Sequence, residues 1–201
     1  MRSSLSDIPY IIGVTGGIGS GKSVVSRLLR LMGIPVYDCD REAKRLMLED
    51  ADVRRALVSA AGERVYTADG QLDRAYLASY MFGNAERVAL VNAIVHPAVR
   101  DDFRQWAQRL GREIVAVESA LLFEAGMDAD VDTVVYVHAP EAVRLARAIQ
   151  RDASNESSVR RRMQSQLSEQ EYMQRADNVI CNDGSHSLIN QTLCLLRSFT
   201  H

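Results

Sequence analysis

Five short runs of apolar and β-branched residues recur along the sequence, each with the length of a buried strand. Most are continuous rather than alternating, which is typical of strands covered on both faces of a parallel sheet. Helical spacing separates them: apolar residues recur along 23–32 and stop before Gly33, a residue that favours the end of a helix. The alternation predicts an α/β fold, doubly wound around a five-stranded parallel sheet. The predicted strands cover residues 10–15, 34–38, 113–118, 132–138 and 178–181.

Two interruptions divide this alternation of strands and helices. About seventy residues separate the second and third strands, far more than one crossover needs, and helical spacing fills most of them. The helical stretches are 52–61, 72–81 and 85–110. We therefore expect one unit, residues 1–201, with a helical insertion at about 41–110 and a polar second interruption at about 144–175. Its core would comprise about 8–40, 111–143 and 176–201.

The charge of the second interruption differs from that of the whole chain. Residues 144–175 contain seven arginines and four acidic residues, whereas the chain has a formal net charge of −2. A basic helical segment on an acidic body suggests a lid that faces phosphate. Charge alone favours the plainer alternative, a solvated helix face.

The overall composition excludes several classes of protein. With 47% hydrophobic and 25% charged residues, the chain is neither disordered nor fibrous. Near-neutral charge argues against a nucleic-acid-binding protein, and no apolar run approaches the ~18 residues of a membrane span. The first nine residues lack the apolar stretch of a secretory signal, and the three cysteines have no metal-binding spacing. We expect a cytoplasmic protein.

A glycine-rich motif follows the first predicted strand and precedes a predicted helix. It fits GxxxxGK[ST], in which glycines let backbone N–H groups turn towards phosphate oxygens at a helix N-terminus. Lys22 would place a compact charge on the β- and γ-phosphates, and the Ser23 hydroxyl suits Mg²⁺. Lys22 is one of only two lysines in the chain, against 22 arginines. The motif consists of Gly16, Gly17, Ile18, Gly19, Ser20, Gly21, Lys22 and Ser23.

Acidic residues end two of the predicted strands, where ligands bind in α/β sheets. If the second strand stays extended, Asp38 and Asp40 point the same way and one could accept a proton or hold Mg²⁺ through water. Alternatively, Asp40 is the N-cap of a helix beginning near Arg41. Glu118, at the end of the third strand, could hold Mg²⁺ through water.

Two other residues with reactive side chains have plainer interpretations. Cys39 is expected to be a packed thiol rather than a reactive one. His96 is expected to be structural, and Pro97 beside it to start or kink a helix.

Several motifs in order resemble those of the dephospho-CoA kinase family over nearly the whole chain. The loop at 13–23 resembles the family's TGGIGSGKS, and Asp38-Cys39-Asp40 is similar to its Asp-Ala-Asp. The resemblance continues at 69–74, 96–97, 121–124, 151–152, 162–166 and 176–182. There are departures: Val24 stands where the family usually has Thr, Ala120 where it has Pro, Tyr172 where it has Lys, and Lys44 where it has Arg.

The resemblance implies a P-loop kinase that transfers the γ-phosphoryl group of ATP to the ribose 3′-hydroxyl of dephospho-CoA. By this resemblance Asp40 is the leading general base with Asp38 beside it, and Thr15, Lys22 and Arg147 are further catalytic candidates. The insertion would bind the acceptor, and no nucleic acid, membrane or obligatory protein partner is implied. Nucleotide contacts would come from residues 16–24, including Val24, and from Arg147 and Asn182.

Two alternatives remain open at the level of sequence. Another small-molecule or nucleoside monophosphate kinase would use the same loop and a similar insertion. A GTPase-type switch would need a guanine-binding NKxD sequence, and the chain contains none.

Overall fold

A computed structural model describes residues 9–153 and 155–199 of the 201-residue chain. The structure does not describe residues 1–8, which include the polar N-terminal segment and the expected start of the core at residue 8. The last two residues of the expected core, 200 and 201, also lie outside the described residues. The strands are β1 (Tyr10–Thr15), β2 (Val36–Asp38), β3 (Ile114–Glu118), β4 (Thr133–His138) and β5 (Asn178–Cys181). The helices are α1 (Lys22–Leu31), α2 (Cys39–Glu49), α3 (Ala51–Ala61), α4 (Arg74–Met81), α5 (Ala85–Leu110), α6 (Glu141–Asp152), α7 (Glu156–Gln164), α8 (Glu169–Arg175) and α9 (Leu188–Arg197).

The five strands form one parallel sheet in the order β2-β3-β1-β4-β5, which confirms the predicted fold class. In this order β1 lies at the centre, with Val14 paired to Glu118 of β3 and to Val135 of β4. The strand β2 is shorter than predicted because Pro35 has no N–H to donate to a neighbouring strand. The Pro35 carbonyl still accepts a hydrogen bond from the Ala116 N–H of β3 at 2.8 Å.

The chain divides into two compact units, residues 1–37 with 111–201 and residues 38–110. The first contains the sheet, whose apolar side chains pack against α1 and α9. Val25 and Leu29 of α1 and Leu195 of α9 contribute the helical side of this core. Continuous burial of the central strands accounts for their uninterrupted apolar sequence. The sheet contributes Ile12, Val14, Val36, Ala116, Val135, Val137 and Ile180.

The second unit is helical and is organised by α5. Buried residues recur along this helix every four positions, which places them on one stripe. Pro97 lies inside α5 rather than at its start, so the prediction of a helix start at this position is wrong. Arg45 of α2 donates to Glu42 at 2.6 Å and to Asp102 of α5 at 2.7 Å, which ties the two helices together. The buried stripe consists of Val91, Val95, Val99, Phe103 and Ala107.

Across the described residues, no helix is both long and apolar enough to cross a membrane.

The segment 144–175 contains most of α6, all of α7 and all of α8. Leu145 and Ala148 of α6 pack against Val159 of α7 in a small apolar cluster of their own. Asp152, at the end of α6, accepts hydrogen bonds from Arg151 at 2.7 Å and from Arg162 of α7 at 2.8 Å. These bonds favour the charged carboxylate and lower the pKa of Asp152 to about 2.

Replacement of Phe103 by alanine tests the core of the helical unit. Phe103 is fully buried, so Phe103→Ala should lower the free energy of unfolding by about 3–5 kcal/mol. Phe82→Ala is the matched control, because Phe82 is 81% exposed. Urea denaturation measures both variants. Equal losses for the two would contradict the assigned packing of α5.

The acid side of the stability profile tests the Asp152 contacts. A carboxyl group whose pKa is lowered by folding stabilises the folded state above its unfolded pKa, and this contribution is lost as pH falls through the folded pKa. Part of the unfolding free energy should therefore disappear between about pH 4 and about pH 2. Asp152→Asn should remove that part of the profile, measured by urea denaturation at each pH. Glu156→Gln is the control, since Glu156 forms an exposed pair with Arg160 and should leave the profile nearly unchanged.

Candidate active site

A loop of six residues connects β1 to α1, and its backbone approaches other parts of the chain closely. Gly21 caps α1 in the left-handed region with φ 94°, and Gly19 has φ 78°. A Cβ atom at Gly19 would overlap the backbone carbonyl of Arg144, and one at Gly21 would overlap the side-chain amide of Asn182. Glycine is therefore required at both positions, by the backbone angle and by the space.

The N-terminus of α1 is suited to an anion. Within the described chain, no side chain caps this helix and no acidic residue occupies its first turn. The first N–H groups and the positive end of the helix dipole are therefore left for a ligand. Lys22 begins the helix, and its Nζ donates to the carbonyl oxygens of Gly16 at 2.6 Å and Gly17 at 3.3 Å. Ser23 follows it and is exposed.

Two sheet residues expected at the site lie at neighbouring strand ends. Thr15 ends β1 and Glu118 ends β3, and the register pairs Glu118 with the residue before Thr15. Thr15 is fully buried, and no residue of the described segments is a hydrogen-bond partner of its hydroxyl or of the Ser20 hydroxyl. Buried polar groups usually have hydrogen-bond partners, so these two hydroxyls at the base of the loop indicate a site for a polar ligand.

The extended chain ends between the two aspartates Asp38 and Asp40, contrary to the prediction from sequence. The strand ends at Asp38, whose side chain accepts from the Arg41 N–H at 3.0 Å and caps α2. Cys39 is already helical, so the rule that alternate strand residues share a face does not apply to Asp38 and Asp40. The interpretation of Asp40 as the cap is also wrong: Asp40 lies in the first turn of the helix and is exposed. Both aspartates belong to the helical unit.

The plainer interpretations of Cys39 and His96 agree with their surroundings. The Cys39 thiol is 6% exposed, as expected for a packed side chain. Burial lowers the pKa of His96, which favours its neutral form in the helical unit.

Arg147 and Asn182, both expected to contact the nucleotide, meet at the loop. Arg147 of α6 donates to the Asn182 carbonyl at 3.0 Å, and the Asn182 amide donates to the Ser20 carbonyl at 2.7 Å. The Asn182 backbone N–H in turn donates to the carbonyl of His138, at the end of β4, at 2.7 Å. The end of strand β5, helix α6 and the loop are thereby joined by one residue.

Two further residues at the loop, Gln166 and Arg144, were not predicted from the sequence. Gln166 accepts a hydrogen bond from the Ile18 N–H at 2.8 Å, and the Ile18 side chain packs on the apolar cluster of α6 and α7. The guanidinium of Arg144 lies so close to Gly17 that a Cβ atom there would overlap it. A signal for Arg144 was present, because Arg144 and Arg147 are three apart and share a helix face.

Two departures from the family pattern contact one another. Tyr172 of α8 stacks on Tyr136 with ring centroids 4.9 Å apart, and its hydroxyl donates to the Ala120 carbonyl at 3.4 Å. Burial raises the pKa of Tyr172, so its hydroxyl stays protonated. The buried tyrosine thus fastens α8 to β4 and to the turn after β3.

The donor set for a metal is small. In the parts of the chain that the structure covers, no group of three His, Cys, Asp or Glu side chains could hold a metal ion. Besides the buried hydroxyls of Thr15 and Ser20, oxygen donors are offered by Ser23 in the first turn of α1 and by Glu118 at the end of β3. Such a set fits Mg²⁺, which usually takes one or two protein oxygens together with phosphates and waters.

Known proteins resemble this chain over most of its length. A family model described as Dephospho-CoA kinase matches residues 10–187. The dephospho-CoA kinase of Salinibacter ruber (strain DSM 13855 / M31) is 50% identical over 177 residues, which cover 87% of this chain and 89% of the relative. The dephospho-CoA kinase of Bacteroides fragilis (strain YCH46) is 44% identical over 186 residues, which cover 92% and 90%. The crystal structure of TT1252 from Thermus thermophilus has a TM-score of 0.85 at 34% identity and covers 96% of this chain and 99% of that one.

These matches decide between the interpretations that the sequence left open. The expected family resemblance is confirmed, and with it an ATP-dependent kinase rather than a guanine-nucleotide switch. The chain belongs to the dephospho-CoA kinase family.

Proposed function

We propose that the chain transfers the γ-phosphoryl group of ATP to the ribose 3′-hydroxyl of dephospho-CoA, giving coenzyme A and ADP in the final step of coenzyme A synthesis. The observation that carries this proposal is the glycine loop at the uncapped N-terminus of α1, with Lys22 bonded across it, in a chain of this family. In the transfer, the acceptor oxygen bonds to the γ-phosphorus and the bond from that phosphorus to the bridging oxygen breaks. The acceptor proton passes to a base, and ADP leaves.

The loop and its neighbours would bind the nucleotide. Backbone N–H groups within residues 16–24 bind phosphate oxygens, apart from those of Ile18, Ser20 and Val24, which donate within the protein. Lys22 neutralises the β- and γ-phosphates. Asn182 and Arg147 support the nucleotide beside Ser20, where their hydrogen bonds already join α6 and β5 to the loop. Thr15 lies under the loop with its hydroxyl buried.

Mg²⁺ would be bound by the Ser23 hydroxyl and, through water, by Glu118, and it would neutralise charge on the phosphates. The hydroxyl of Ser23 and the carboxylate of Glu118 are the oxygen donors that make the site suitable for Mg²⁺. Orientation of the phosphates falls to the loop N–H groups and Lys22.

Asp40 is our leading general base. It is exposed in the first turn of α2, whereas the Asp38 carboxylate is already engaged as the cap of that helix. A carboxylate held by the N–H of a helix that it caps is less free to turn towards an acceptor hydroxyl than an exposed one. Asp38 remains the alternative.

The remaining parts of the chain have proposed roles in the same reaction. We assign the acceptor to the helical insertion at about 41–110 and the lid to about 144–175. A lid that excludes water would prevent water from competing with the ribose hydroxyl. The cytoplasm is the expected location, since ATP is available there.

Identification of the product tests the proposed reaction. Purified protein incubated with ATP, Mg²⁺ and dephospho-CoA should convert the acceptor to a product of the mass and chromatographic retention of coenzyme A, with one ADP per product. Lys22→Met should lower kcat by about 10²–10³-fold, because it removes the charge at the phosphates. Lys44→Met is the matched control: Lys44 is the other lysine of the chain, exposed on α2.

Phosphorylation of an acceptor other than dephospho-CoA would contradict the substrate assignment and leave the loop chemistry intact. Equal activity of the two lysine variants would contradict the loop chemistry itself.

Asparagine substitutions distinguish the base from the cap. Asp40→Asn should lower kcat by about 10²–10⁴-fold with little change in ATP affinity, because it removes only the proton acceptor. Asp38→Asn should keep the cap, since asparagine caps helices as well as aspartate does. Steady-state kinetics and calorimetric ATP binding measure both variants. A larger kcat loss for Asp38→Asn than for Asp40→Asn would move the base to Asp38.

A further inference from the structure

Arg144 is held against the phosphate loop by its own side chain. It lies in the first turn of α6, just after β4, and its Nε donates to the Ala139 carbonyl at 3.1 Å. This bond fixes one edge of the guanidinium group. One terminal nitrogen lies against Gly17, at a distance that leaves no room for a Cβ atom.

A second cation contacts the same glycine. The Nζ of Lys22 donates to the carbonyls of Gly16 and Gly17, so the ammonium and the guanidinium both contact Gly17. Both groups carry a positive charge, so an anion bound beside Gly17 would be attracted by each of them.

Arg144 and Arg147 differ from other lid arginines in their hydrogen-bond partners. Along the stretches that the structure describes, no carboxylate forms an ion pair with Arg144 or Arg147, which donate instead to backbone carbonyls. Four other lid arginines do pair with carboxylates. These are Arg151 and Arg162 with Asp152, Arg160 with Glu156 and Glu141, and Arg175 with Asp128.

The backbone around Arg144 is positioned as firmly as its side chain. The Arg144 carbonyl lies against Gly19, and Gln166 holds the lid to the Ile18 N–H at 2.8 Å. Contacts on both sides of Gly17 therefore keep α6 on the loop.

We propose that Arg144 is a phosphate-binding residue that contacts the terminal phosphates of the nucleotide at the Gly17 side of the loop. A guanidinium group suits this task, because its planar fork donates two parallel hydrogen bonds to phosphate oxygens. Lys22 supplies a point charge from within the loop, Arg144 supplies directed donors from the lid, and Arg147 acts at Asn182. This inference rests on the proposed use of ATP as phosphoryl donor. The proposal predicts that the contribution of Arg144 to binding depends on the number of phosphates in the nucleotide.

A nucleotide series tests Arg144. Arg144→Gln should weaken the binding of ATP and ADP by roughly ten- to a hundredfold while leaving AMP affinity unchanged, since AMP lacks the terminal phosphates. Arg144→Lys should fall between wild type and Arg144→Gln, because it keeps the charge but loses the fork. Arg161→Gln is the matched control, since Arg161 is an exposed lid arginine. Isothermal titration calorimetry measures the affinities, and thermal melting without nucleotide checks that each variant is folded.

Two outcomes would overturn the proposal. One is a loss of AMP and ATP affinity by the same factor; the other is unchanged ATP affinity with a lower melting temperature, which would reduce Arg144 to a structural partner of Ala139. Failure of the proposed function is distinguishable from both, because it appears in the wild-type protein as equal affinity for ATP and AMP or as phosphorylation of a different acceptor.

Discussion

The close approach of backbone and side chains to the glycines after β1 is the constraint on which the nucleotide site depends. Helix α6 presents the Arg144 carbonyl to Gly19, and Asn182 after β5 presents its amide to Gly21. A single Cβ atom at either glycine would push one of these elements away. Segments more than a hundred residues apart in sequence therefore meet at a loop that has almost no side chains. Hydrogen bonds from Gln166 and Asn182 hold the segment 144–175 and the end of β5 to this loop.

The arginines of the segment 144–175 include two groups with different partners. Arg151 and Arg162 pair with Asp152, which joins α6 to α7. Arg144 and Arg147 donate to backbone carbonyls instead. Net charge counted along the sequence could not separate the two groups. The solvated helix face and the phosphate-facing lid were predicted as alternatives for the whole segment, whereas the structure gives its arginines different partners.

The junction after β2 shows why local sequence left a choice open. Asp38 and Asp40 are equally good capping residues, and which one caps depends on where the helix begins. Helix α2 begins at Cys39 because the chain leaves the sheet there and buries the thiol, and this makes Asp38 the cap. A helix starting two residues later would have reversed the two roles. The energy of one cap is too small to decide the matter without the packing of the whole helix.

The sequence by itself determined the sheet, the phosphate loop and the helical insertion, because strand and helix periodicities and the glycine-lysine spacing are local properties of the chain. It also identified Lys22, Arg147 and Asn182 as residues of interest. Only the tertiary structure decided that Asp38 is the cap, that Tyr172 contacts Ala120, and that Arg144 and Gln166 reach the loop. These contacts join residues distant in sequence or depend on the end of a strand. Their geometry follows from packing, which no local pattern encodes.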